Sequence, residues 1–193
     1  MKLYFAPRSR TVRPRWLLEE LEVPYELVTF DPSKQENVPA LVDGDVTFFE
    51  PSAICLLYLA DRFPEKNLAP PPGSAERAHY YRWMSFAEGS IEPLVMEVYR
   101  HGQLPEEQKA GAQEALARSR PRLNEVLTIL DTELNGREHL VGGRFTAVDV
   151  MLASLLHLAH NLKLLEGHPR LFEYVLSNTK RPASRRAVQP PGG

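Results

Sequence analysis

At 193 residues, 43% of them hydrophobic, the chain can form one large domain or two small ones around a real core. Its formal net charge of −2, with acids and bases interspersed, excludes the basic field that gathers nucleic acid or membrane phosphates. A single cysteine, Cys55, excludes an internal disulfide framework and a multi-thiolate metal site.

The opening Met-Lys-Leu-Tyr-Phe lacks the apolar core of a signal peptide. The longest apolar stretch, 53–60, is far short of the roughly 20 residues that span a bilayer. The cytoplasm is therefore the expected compartment. Cys55 lies inside that apolar stretch and is expected to be a buried, inert thiol.

Residues 2–6 are rich in Leu, Tyr and Phe and are stopped by Pro7, which predicts a first strand. From Arg13 to Leu21, Trp16, Leu17 and Leu21 share one helical face opposite Glu19 and Glu20. Pro14 suits the first turn of that helix, where a missing N–H costs nothing. A second strand covers 26–30. Two more, 40–42 and 46–49, flank the turn Asp43-Gly44-Asp45. An apolar helix runs from Ser52 to Arg62. The order is β-α-β, then β-β-α.

Residues 64–74 hold four prolines and a glycine, the composition of a stiff linker without regular structure. Everything beyond is helical. One long helix runs from Ser74 to about Arg100, bent near Gly89 and Pro93. A second covers 106–134 and contains Pro121. The most apolar helix, 147–162, is the expected centre of its bundle. Segments 169–178 and 182–188 follow. The expected division is a first domain over 1–63, a linker over 64–74, a helical domain over 75–188 and a disordered tail over 189–193.

The best-defined local motif is a capping box. Thr146 has the N-cap hydroxyl, Asp149 stands three residues on, and Phe145 and Val150 have the spacing of a hydrophobic staple. Val38-Pro39 precedes a strand. A cis bond there would turn the Val38 N–H and C=O toward an extended ligand, whereas the residues alone favour an ordinary trans proline. The loop Pro7-Arg8-Ser9-Arg10-Thr11 joins hydroxyls, arginines and a helix N-terminus, a set that suits an anion such as a thiolate. The competing reading is a Ser/Thr cap with solvated arginines. At the next helix start, the Glu50 carboxylate can take an amine and the Ser52 N–H a carboxylate. As a bare pattern it is only a helix start. His157 and His160 lie three apart without a third ligand, so no metal is expected. Tyr80, Tyr81, Trp83, Phe86 and Tyr99 fit helix packing first and a pocket wall second.

Taken in order, Met1-Lys-Leu-Tyr4, Ser9-Arg10-Thr-Val-Arg13, Trp16-Leu-Leu-Glu-Glu-Leu21, Val38-Pro39-Ala-Leu-Val-Asp-Gly44, Ala53-Ile54 with Tyr58-Leu-Ala-Asp61, and the box at Thr146 and Asp149 resemble bacterial glutathione S-transferases over nearly the whole chain. The resemblance implies a thioredoxin-like first domain, an all-helical second domain, glutathione as cosubstrate, no metal, an electrophilic small molecule as second substrate, a detoxification role and a homodimer. It places Ser9 at the serine that stabilises the glutathione thiolate, with Arg10 and Thr11 beside it. Aligned with cysteine-type members, the nucleophile position falls on Arg10. Val38-Pro39 matches a cis-proline dipeptide that pairs with the cysteinyl backbone, and Glu50 and Ser52 match the acid and serine that hold the γ-glutamyl group.

Two departures stand out. Pro51 separates the acid from the serine, and an alternative register puts Pro51 at the acid position. Only Pro32–Asn37 joins the second strand to Val38, so the second helix usual in the family is missing or shortened, leaving the glycyl end of the cleft open. The rival reading is a non-enzymatic binding or interaction module with a weakened glutathione site. A thiol–disulfide oxidoreductase is disfavoured, because the first-helix loop has no cysteine.

Overall fold

The structure, a computed structural model, describes residues 1–31, 33 and 38–189. In chain order it contains β1 (Lys2–Phe5), α1 (Val12–Leu21), β2 (Glu26–Thr29), β3 (Leu41–Asp43), β4 (Val46–Phe48), α2 (Ala53–Arg62), α3 (Ala75–Phe86), α4 (Glu92–Gln103), α5 (Glu106–Glu133), α6 (Ala147–Asn161), α7 (Pro169–Thr179) and α8 (Pro182–Val188). The expected βαβ-ββα order and the helical second half are both present. The missing-helix reading falls on residues 32–37, which apart from Ser33 lie outside the described residues. So does the disordered-tail reading, apart from Gln189.

The four strands form one mixed sheet in the order β2-β1-β3-β4. β1 is parallel to β2, with Leu3 opposite Leu27, and antiparallel to β3, with Leu3 opposite Leu41. β3 is antiparallel to β4, with Leu41 opposite Phe48. This register has a functional consequence. The chain leaving β1, the chain entering β3 and the chain leaving β4 all emerge at the same end of the sheet. With strands about 4.8 Å apart, the Ser9 loop, Val38-Pro39 and the Glu50–Ser52 segment become neighbours along one edge.

The Val38–Pro39 bond is trans, which corrects the cis geometry implied by the resemblance. Trans is the intrinsic preference of an X–Pro bond by about 0.5–1 kcal/mol. With it, Ala40 pairs on both sides, its N–H donating to Phe48 O (2.7 Å) and its C=O accepting from Tyr4 N–H (3.0 Å). The linker also departs from expectation at its start, where Pro64–Lys66 forms a 3₁₀ turn. Further on, buried Leu68 accepts from the Ala147 N–H at 2.9 Å, fastening the linker to the start of α6.

α6 is the buried centre of the helical half, as its composition predicts. Its capping box forms, with the Thr146 N–H donating to Asp149 Oδ2 at 2.7 Å. Asp149 is fully buried and is also satisfied by the Thr146 hydroxyl (3.1 Å), the Tyr174 hydroxyl (2.7 Å) and His139 Nδ1 (3.1 Å). Burial, reinforced by Asp149, pushes the Tyr174 phenol well above its usual range. The box is therefore one part of a buried network, with Asp149 as its common acceptor. α5 runs unbroken through Pro121, where the ring removes one donor to the exposed Ala117 carbonyl and water can replace it.

The two halves are clamped through α1, which packs on α2, α6 and α8. Glu20 accepts from Trp16 Nε1 (2.9 Å) and pairs with Arg181 through both oxygens, at 2.6 and 2.7 Å. The Arg181 guanidinium lies 3.8 Å from the centre of the Phe145 ring. On the far side of α2, buried Arg77 pairs with Asp61 and covers the Tyr80 and Tyr81 rings.

Candidate active site at one end of the sheet

Between α3 and α4 the helix widens into a single π turn, Ala87–Ile91. The bend expected near Gly89 and Pro93 has a definite cause. Pro93 lacks an N–H and its ring cannot pack against the Gly89 carbonyl four residues back, so the ladder widens instead. The widened turn carries one acid, Glu88, and a second, Glu92, follows it at the start of α4. Glu88 accepts a hydrogen bond from the Ala53 N–H at the start of α2 (3.1 Å). Glu92, only 5% exposed, accepts from Arg13 Nη1 (2.8 Å) and Arg10 Nη1 (3.1 Å). Arg13 Nε reaches on to Ser154 Oγ of α6 at 3.1 Å. The π turn and the residue that follows it thus grip both flanks of the sheet end. The sequence reading missed both acids. The available signal was an acid pair four residues apart, bracketing a glycine and followed at once by a proline.

The loop leading into α1 is closely bonded. The Ser9 N–H donates to Ala6 O at 3.3 Å, closing a turn in which Pro7 precedes Arg8 at φ 59°. Proline followed by a positive φ is the pattern of a type II turn. Thr11 sits at the N-cap position of α1, but its hydroxyl does not cap the helix. It turns back to accept from the Ala6 N–H at 3.1 Å. Ser9 Oγ lies 2.8 Å from Ala6 O and 2.6 Å from Thr11 Oγ1, and it accepts from the Thr11 N–H at 3.2 Å. Thr11 is buried at 6% exposure, while Ser9 is half-buried. Of the two hydroxyls, Ser9 is the more accessible. Arg10 is exposed but already engaged by Glu92.

The remaining expected site residues sit as the register requires. Val38 and Pro39 are half-buried, and the Val38 backbone pairs with no described residue. Glu50 is exposed, and the Ser52 hydroxyl makes no cap to its own helix. At the α2 end, the Glu88 carboxylate on the Ala53 N–H is the only side-chain hydrogen bond to the first turn among the described residues. The sheet end therefore holds a hydroxyl donor, an unpaired stretch of backbone and a helix N-terminus that already holds a carboxylate. That set suits an extended, anionic, peptide-like ligand.

Other candidates fall away. Burial pushes the Cys55 thiol up to about 12, so it is inert as expected. His160 lies against Phe172, and no group of three potential metal ligands occurs among the described residues. Tyr80 and Trp83 are buried packing residues, while Tyr81 and Tyr99 are exposed. A surface groove lined by Glu19, Glu22, Val23, Pro24, Tyr25 and Arg186 lies at the opposite end of α1, away from Ser9. No helix among the described residues is long and apolar enough to cross a membrane.

Comparison with known proteins agrees with this arrangement. Residues 1–61 match the family described as Glutathione S-transferase, N-terminal domain, and residues 113–176 match Glutathione S-transferase, C-terminal domain. Glutathione S-transferase Z2 of Arabidopsis thaliana is 30% identical over 207 residues, covering 97% of this chain and 90% of the relative. Glutathione S-transferase GstA of Escherichia coli O157:H7 is 28% identical, covering 98% of this chain and 96% of the relative. A sphingomonad glutathione S-transferase solved with glutathione superposes with a TM-score of 0.80 at 28% identity, covering 97% of each chain. With both halves matched, relatives aligned almost end to end and the thioredoxin-like sheet in place, the chain belongs to the glutathione S-transferase family.

Proposed function

We propose that this protein is a glutathione transferase that holds glutathione as its thiolate and directs it at an electrophilic small molecule. The observation that carries this reading is the bonding of Ser9. Its oxygen already accepts from Thr11, so what it has to offer a ligand is its own proton. Such a hydroxyl cannot act as a base toward a thiol. It can only donate to the sulfur anion, which favours the ionised form and lowers the thiol pKa. The thiol proton goes to solvent, the sulfur lone pair forms the new C–S bond, and the electrophile's displaced electrons leave with its leaving group or charge its acceptor atom.

The rest of the sheet end suits the remainder of the tripeptide. The unpaired Val38 backbone, next to Pro39, is offered to the cysteinyl unit. The α2 start, with Ser52 and Glu50, is offered to the γ-glutamyl carboxylate and amine. Arg10 and Thr11 act from beside Ser9. The electrophile follows from pocket packing rather than from any one residue. We read the protein as a cytoplasmic, detoxifying homodimer that needs no metal, because the nucleophile comes with the cosubstrate.

A second reading, a glutathione-binding or interaction module without turnover, is favoured by one observation: Glu88 already occupies the helix end where the γ-glutamyl carboxylate would bind. Retention on immobilised glutathione followed by a conjugation assay with a broad electrophile separates the two. Turnover that falls in Ser9→Ala, by at most about 10²–10³-fold, supports the transferase. Full activity in Ser9→Ala, with loss in Thr11→Ala, overturns the role given to Ser9.

A further inference from the structure

Ser9 and Thr11 share protons, and the distances decide how. Two hydroxyl protons must be distributed among three contacts: Ser9 Oγ to Ala6 O at 2.8 Å, Ser9 Oγ to Thr11 Oγ1 at 2.6 Å, and Thr11 Oγ1 to Ala6 O at 3.4 Å. If Ser9 donates to Thr11, the Thr11 proton is left with the 3.4 Å contact, beyond good hydrogen-bond length. If Thr11 donates to Ser9 and Ser9 donates to Ala6 O, both short contacts are used. The second arrangement wins. The Ala6 N–H then fills the acceptor side of Thr11 (3.1 Å) and fixes its hydroxyl.

The same geometry makes the Ser9 proton easy to redirect. When it swings from Ala6 O to a ligand, the Ala6 carbonyl keeps the Ser9 N–H at 3.3 Å and is not left bare. Ser9 Oγ meanwhile keeps the Thr11 N–H and the Thr11 O–H. A hydroxyl that accepts a hydrogen bond donates a stronger one, because bonds in a chain polarise each other. We infer that buried Thr11 is a positioning residue that acts through Ser9: its hydroxyl donates to Ser9 Oγ, leaves the serine proton free to turn from Ala6 O to a ligand and strengthens its bond to the glutathione sulfur. This inference rests on the reading of Ser9 as the thiolate donor.

The test is the pKa of the thiol of bound glutathione, followed by thiolate absorbance, together with the pH profile of kcat/KM. Wild type is compared with Thr11→Val, Thr11→Ser, Ser9→Ala and the Ser9→Ala/Thr11→Val double variant. Thr11→Val is expected to raise the bound-thiol pKa and lower kcat/KM at neutral pH by about three- to tenfold, the size of one neutral hydrogen bond. Thr11→Ser should restore both, and Thr11→Val should add nothing once Ser9 is gone. A bound-thiol pKa unchanged in Ser9→Ala defeats the Ser9 reading itself. A raised pKa in Ser9→Ala with none in Thr11→Val overturns only the relay. An equal Thr11→Val effect with and without Ser9 also overturns it, since Thr11 would then act by another route. Should Thr11→Val not fold, Thr11→Ala against Thr11→Ser makes the same comparison.

Discussion

The Glu88 carboxylate stands 3.1 Å from the Ala53 N–H, so a side chain of the helical half caps the helix end proposed for the γ-glutamyl carboxylate. A ligand carboxylate bound at that end competes with it for the same helix N-terminus. A carboxylate at a helix N-terminus is worth about 0.3–1 kcal/mol, so Glu88→Ala should tighten glutathione binding by about two- to fivefold while slightly lowering thermal stability. Titration calorimetry on the variant checks this. Weaker binding would instead make Glu88 a direct ligand contact, serving the γ-glutamyl amine.

Glu92 makes the opposite prediction. It is buried between Arg10 and Arg13, and Arg13 is itself only 4% exposed. Removing the acid strands a buried guanidinium, which typically costs 3–5 kcal/mol. Glu92→Ala should therefore lose about that much in urea unfolding, whereas Arg10→Ala, at an exposed partner, should lose under about 1 kcal/mol. Comparable losses in the two variants would show that burial of this pair does not set its energy.

His139 should link stability to pH. Its hydrogen bond to Asp149 raises its pKa above the usual 6.5 in spite of partial burial, aided by Glu138 and opposed by Arg181. A raised folded-state pKa means that the protonated form stabilises the fold. That contribution is complete below the unfolded value and is lost as pH rises through the folded value. The stability difference between wild type and His139→Gln should therefore be largest in mildly acidic buffer and shrink above neutrality. Thermal melts across that range test it, and a difference that grows with pH would refute the assignment.

A second copy of the chain should cover the exposed apolar side chains that run from β4 to the first turn of α2. Val46, Phe49 and Ile54 are 39, 53 and 55% exposed, with the latter two following each other closely in the chain. Sedimentation at micromolar concentration should give about twice 21.9 kDa, and Phe49→Asp should shift the protein toward monomer by placing a charge in an apolar contact. A wild-type monomer at that concentration would end the dimer reading.

Much of this protein is written in local sequence. Strand and helix order, the turn at Gly44, the box at Thr146 and Asp149 and the inert Cys55 follow from periodicity, proline and glycine placement and apolar runs, all of which act between near neighbours. Ser9, Val38 and Ser52 can be named from short motifs for the same reason. Their meeting at one end of the sheet was settled only by strand register. Tertiary structure alone also decided that Glu88 and Glu92 reach back to Ala53, Arg10 and Arg13, because those pairs join residues far apart in the chain through a π turn whose direction no local pattern specifies. The Val38–Pro39 bond is trans, as the residues alone favour and against the cis turn implied by the resemblance, and the backbone pairing of Ala40 is complete with it. Among the hydroxyls, the residues alone leave Ser9 and Thr11 equivalent, and only the resemblance favours Ser9. Tertiary structure buried Thr11, left Ser9 half-buried and set their oxygens 2.6 Å apart.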